Sequence, residues 1–275
     1  MTNLLVANFM RLKKNKLFWT GMLAMFAFAA LTIIMQYREH IKYGNEASLN
    51  SPFFGYALPI GMLMAVFSSI FLGTEYSEGT IRNKIIIGHS RMSIYFANFI
   101  TNIVVAFLMC LSYLFAVIVI GIPLIGFVTV DTVLILKMLL GTFLLSVAFC
   151  SIFTMISMLY SNKAAVAVIS ILFVVVLFLL ATYINSSLDA PQYFDGYILD
   201  SDGNLESKPI LNPKYLSGLQ RSLYEFLYDF LPTGQSVQYM TMSAVHLWKM
   251  PLYSLIITIL TTVAGIMIFK RKDIK

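Results

Sequence analysis

Six apolar runs of about the length that crosses a bilayer, each closed off by polar residues, constrain this chain more than any other feature. They cover residues 17–36, 52–73, 94–120, 134–160, 164–184 and 251–269. Lipid offers no water to satisfy backbone N–H and C=O groups, so a crossing segment must be a helix or part of a closed barrel. Barrel strands alternate apolar and polar over about ten residues, whereas these runs are longer and continuously apolar. At 59% hydrophobic residues the chain also exceeds the usual share for soluble domains, about 45–50%. The sequence therefore predicts an all-α membrane protein, a single transmembrane domain over 1–275 with six transmembrane helices. The first run is too long for a signal-peptide core and is expected to be retained.

The polar connections carry the rest of the information. Residues 2–16 place Leu5, Phe9 and Leu12 on one side of a helical wheel and Asn8, Arg11, Lys14 and Asn15 on the other, an amphipathic elbow helix suited to the headgroup layer. Residues 73–93 concentrate Glu75, Glu78, Arg82, Lys84, His89 and Arg91 in a chain only 12% charged. Glu78 and Arg82 stand at the i,i+4 spacing that supports a short helix. Gly79 and Gly88 predict two short pieces with a bend, and Thr80 is a possible cap. Residues 185–250 form the largest non-spanning segment and are expected to be partly helical. Within it an amphipathic helix over Tyr215–Phe230 is expected to rest on the mouth of the bundle and to end at Pro232 and Gly234.

Counting Lys and Arg sets the orientation. The N-terminus, the 73–93 connection, the 161–163 turn and the C-terminus share twelve basic and three acidic residues, net +9. The opposite side has seven basic and ten acidic residues, net −3. Both termini are expected in the cytosol and 185–250 outside, which explains the basic balance without a nucleic-acid partner.

Familiar chemistry is missing. No G-x-x-x-x-G-K-[ST], H-E-x-x-H or G-x-S-x-G pattern occurs, so neither a catalytic residue nor an ATP cradle of that kind is assigned. The three histidines fall in separate connections, and a His40–His246 metal pair is a weak reading. Cys110 and Cys150 lie in apolar runs and read as packed thiols. Apart from Lys137 near the start of the fourth, the six apolar runs hold no Asp, Glu, Lys, Arg or His, and the halves no matching pair of broken helices, which argues against a self-sufficient secondary transporter. Thr142, Ser146, Cys150, Thr154 and Ser157 recur every three or four residues, a stripe for helix–helix contact or for lining a pathway.

The stretch GTEYSEGTIRNKIIIGHSR (73–91), with Glu75, Tyr76, Glu78, Gly79, Thr80, Arg82 and Ser90-Arg91 in place, resembles the first cytosolic loop of the permease subunits of bacterial type 2 ABC exporters. Leu231-Pro232-Thr233-Gly234-Gln235 before the last run is a weaker match. The resemblance implies a coupling helix on which a separate ATP-binding subunit docks, through Glu75, Tyr76, Glu78, Gly79, Thr80, Arg82, Asn83 and Arg91. It implies no cofactor on this chain, with ATP and Mg in the partner. It also implies a second permease, identical or paralogous, and a multi-pass place among the lipids of a bacterial cell membrane. The exported drug, lipid or antimicrobial peptide would then pass between paired chains near Met64, Phe67 and Phe173. The alternative is a non-transporting receptor or immunity protein that senses a ligand through 185–250.

Overall fold

The computed structural model describes residues 1–44, 47–199 and 205–273. Of the charges counted above, Glu46, Asp200, Asp202 and Lys275 lie outside the described residues. Six helical stretches are long and apolar enough to cross a membrane. Each overruns or shifts from its apolar run, because a helix ends where its backbone is capped and not where hydrophobicity stops.

Helix α1 (Thr2–Lys13) is the elbow, burying Leu4, Asn8 and Leu12. Asn15 starts α2 (Lys16–Tyr43) by accepting from the Phe18 amide, and Gly44 ends it at φ 70. That is 28 residues, or about 42 Å at 1.5 Å per residue, and its final turns carry Arg38, Glu39, His40 and Lys42. The second span does not begin at residue 52. A turn of helix α3 (Asn50–Phe53) and a 3-10 turn (Gly55–Ala57) precede α4 (Pro59–Ser77), which starts on a proline and continues past Gly73. Helix α5 (Thr80–Ile86) follows at once.

The third span is α6 (Arg91–Ala116), a π turn (Val117–Gly121) and α7 (Ile122–Ile125), together 35 residues. Gly121, Pro123 and Gly126 all follow the apolar run as possible breaks, and only the last of them ends the helix. The wider π turn absorbs the hydrogen bond that Pro123 cannot donate, and the break waits for Gly126 at φ 103. Helices α8 (Thr132–Leu159) and α9 (Lys163–Leu188) complete the antiparallel run. Helix α8 is the hub of the bundle, packed by α4, α6 and α12. Its small-residue stripe is buried against those neighbours. Tyr56 Oη and Thr142 Oγ1 lie 2.6 Å apart, Asn102 donates to Thr154 at 2.8 Å, and Ser146 meets Cys110. The stripe is therefore a helix contact.

The 185–250 segment departs furthest from expectation. Strands β1 (Tyr193–Leu199) and β2 (Leu205–Leu211) pair antiparallel, with Tyr193 opposite Leu211. Helix α10 (Gly218–Phe230) is the amphipathic piece. Pro232 and Gly234 do end it, but the chain then re-enters the bundle as α11 (Pro232–Thr241), buried along its first turns. Thr233 donates to the Leu177 carbonyl of α9 at 2.8 Å, well inside that helix. Helix α12 (Lys249–Arg271) closes the fold beside α8.

Candidate functional site: the 73–93 hairpin and its anchor

The 73–93 stretch divides into a buried root and a projecting tip. Glycine at 73 brings α4 against the start of α9, since a Cβ there would meet Lys163 at 3.0 Å. Two residues on, Glu75 is 0% exposed. Its Oε1 lies 2.6 Å from Arg11 Nη1 and 2.5 Å from Lys84 Nζ, and its Oε2 accepts from Asn98 at 3.2 Å. Arg11 also donates to the Phe71 carbonyl at 3.0 Å and lies 3.7 Å above the Phe71 ring. Asn8 completes the circuit, accepting from Lys84 at 3.3 Å and donating to Asn98 at 2.9 Å and Thr101 at 3.2 Å. One carboxylate thus ties α1, α4, α5 and α6 together. A buried charge survives only when paired and fully hydrogen-bonded, and here two cations and an amide do that.

Two further residues of the stretch face inward. Tyr76 donates its hydroxyl to the Met158 carbonyl at the end of α8, at 2.5 Å. Lys272 donates to the same carbonyl at 3.3 Å and sits 4.1 Å over the Tyr76 ring. Burial pushes the Lys272 ammonium down to about 8. Arg91 closes the last turn of α12, donating through Nη1 to the carbonyls of Phe269 at 2.8 Å, Lys270 at 3.1 Å and Lys272 at 2.5 Å. A cation at the C-terminal end of a helix also meets the negative end of its dipole.

The tip is different. Gly79 turns the chain at φ 66 and is itself the residue preceding α5, so Thr80 is the first helical position and caps nothing. Glu78 belongs to the end of α4, so Glu78 and Arg82 do not share a helix as their spacing predicted. Helix α5 buries Ile81 and directs Lys84 and Ile85 inward, leaving Arg82 and Asn83 exposed. Beside them Ile86 is 71% and Ile87 78% exposed. Gly88 then reverses the chain at φ 100.

Sequence reasoning named Glu75, Tyr76 and Arg91 as surface contacts, and the structure places them in the anchor. It missed Asn8, Arg11 and Asn98 as their partners, and Ile86–Ile87 as the exposed tip. The signal for the tip was available as three consecutive isoleucines in a polar stretch. Of the three pathway positions, Met64 and Phe67 are enclosed among their own chain's side chains, Phe67 stacked on Phe71 at 5.0 Å. Phe67 also borders a small apolar cavity shared with α2, and Phe173 on α9 is 38% exposed. His246 is bonded to Asp229 at 2.8 Å, and among the described residues no group of three His, Cys, Asp or Glu is arranged to hold a metal.

Six helices long and apolar enough to cross a membrane, with an anchored hairpin between the second and third, define a multi-pass membrane protein. The chain belongs to the ABC-2 family of transporter proteins, whose model matches residues 4–188, from the elbow to the end of α9. It is a type 2 ABC permease, a membrane component that works with an ATP-binding subunit and usually as a dimer. No curated protein matches the chain.

Proposed function

We propose that this permease exports a drug, lipid or antimicrobial peptide across a bacterial cell membrane, with both termini in the cytosol. ATP and Mg are held by a separate subunit docked on the tip of the α4–α5 hairpin, and two permease chains, identical or paralogous, pair around the cargo. The observation that carries this reading is the exposed Ile86–Ile87 pair on a hairpin whose root is fixed by Glu75. Two adjacent isoleucines in water are a cost unless a partner covers them, and Arg82 beside them supplies a charged rim. A stiff root is equally required. A push on the tip does work on the bundle only if the hairpin does not bend first, and the Glu75 network links it to α1 and α6. Glu78 and Asn83 flank the same face, while Gly79 and Gly88 set its two turns.

Ile86→Asp combined with Ile87→Asp tests the docking. The expected result is a folded permease that no longer copurifies with an ATP-binding subunit and no longer transports. Undiminished copurification and ATP-driven export in that double variant would overturn the assignment.

A further inference from the structure

At the end of the bundle opposite the hairpin, the last turn of α9, the length of α10 and the residues just beyond α11 enclose a cavity of about 370 Å³. That volume lies within the range of small-molecule sites, about 300–1,000 Å³. Its wall carries three carboxylates, Asp189, Glu225 and Asp229, against the guanidinium of Arg221 and the imidazole of His246.

The charges are unevenly answered. Arg221 Nε holds Glu225 at 3.1 Å. Asp229 is held by His246 at 2.8 Å and by the Gln238 amide at 3.2 Å. Asp189 receives only the Asn185 amide, on Oδ2 at 2.8 Å, and pairs with no cation among the described residues. Between the acids stands Tyr228, 7% exposed, its ring packed with Ala181 and Ile184. Its hydroxyl has no hydrogen-bond partner. Burial first, then Asp189, then Asp229, push that hydroxyl up to about 12, so it stays protonated in the field of both carboxylates. A buried hydroxyl left unpaired is an expense the fold does not recover by itself.

We infer that this cavity is a binding site for an organic cation, a primary ammonium or guanidinium seated against Asp189 with Tyr228 as a further polar contact. The surplus of carboxylates selects positive charge and rejects anions. An ammonium brings three donors to walls rich in acceptors. Leu188 and Val245 supply apolar surface for the stem that carries it. The space exceeds what a bare metal ion fills, and the site shares no residue with the hairpin, so it stands apart from the docking assignment.

The test is calorimetric titration of the full chain in lipid nanodiscs with cadaverine, and with 1,5-pentanediol as its neutral counterpart. Saturable binding of the diamine and none of the diol is expected. Asp189→Asn should weaken it about tenfold, the loss of one charge-assisted contact. Tyr228→Phe should also weaken it while keeping the ring in place. Asp189 is at the surface and the Tyr228 hydroxyl makes no bond, so both variants should fold. Absence of saturable diamine binding into the millimolar range, equal binding of the diol, or unchanged binding in Asp189→Asn would each overturn the site. So would zinc binding at Asp229–His246 with no diamine binding.

Discussion

Arg11 and Glu75, 64 positions apart in the chain, meet at 2.6 Å and lock the elbow to the end of the second span. The same carboxylate oxygen holds Lys84 of α5, so elbow, span and hairpin share one acceptor. A displacement of α5 must move α1 or break this pair. The connection is a physical one, made of paired charges.

Removing that acceptor is therefore predicted to loosen three elements at once. Glu75→Gln leaves Arg11 and Lys84 facing each other across a neutral amide. The expected loss is about 3 kcal/mol, the low end for breaking a buried pair, because Arg11 is part exposed and turns to water. Thermal unfolding in detergent should show it, and amide exchange should rise through α1. Glu78→Gln, at an exposed position with no side-chain partner among the described residues, should stay within about 0.5 kcal/mol of the parent. Equal effects of the two would refute the anchor.

Arg91 makes a second prediction, because its bonds go to carbonyls that an α-helix leaves unpaired at its end. Arg91→Ala should fray the last turn of α12 and cost about 1–2 kcal/mol, as expected of a charged donor on helix-terminal carbonyls. Hydrogen exchange at residues 269–272 should quicken while exchange in the middle of α12 does not change. Arg91→Lys should fall between, since one ammonium does not reproduce the reach of a planar guanidinium.

The six spans and the elbow were legible because each is written in consecutive residues, as an apolar run or as a helical wheel. The roles of Glu75 and Arg91 were not. What decides whether a charged residue in a cytosolic stretch is surface or anchor is the partner, and the partners are Arg11 and the end of α12, far along the chain. Local pattern placed the end of α10 at Pro232 and Gly234 but not the helix that starts there. Pro232 and Gly234 are turn formers in any connection, and only the packing of Thr233 on Leu177 makes them the start of a re-entrant helix. The hairpin of β1 and β2 escaped notice because its strands lack the clean alternation of a half-buried pair.

Gly234 gives a third prediction from that re-entrant turn. A Cβ at this position would collide with the Tyr228 carbonyl oxygen, a backbone atom that cannot swing aside. Gly234→Ala should therefore push α11 away from α10 at a cost of about 1–3 kcal/mol, typical of overpacking. A lowered melting temperature with faster exchange in α11 is expected, and an unperturbed variant would mean the α10–α11 corner is looser than the contact implies.

Lys272 supplies a pH dependence whose sign follows from its burial. Its ammonium titrates near 8 in the folded chain, down from the ordinary 10.5. Between these values the unfolded chain binds more protons than the folded one, so stability rises with pH across about 8 to 10.5. Below 8 the folded state carries the full penalty of a partly desolvated charge, held beside Tyr76 and the Met158 carbonyl with Arg91 also close by. Lys272→Met keeps a stem to cover the Tyr76 ring and removes the titration. The melting temperature of the variant relative to the parent should therefore be highest below pH 8 and decline steadily toward pH 10.5, because only the parent gains from deprotonation. Other lysines and tyrosines titrate in both proteins and cancel in the difference. A difference that stays flat across that window would mean the Lys272 ammonium lies in water and not against the end of α8.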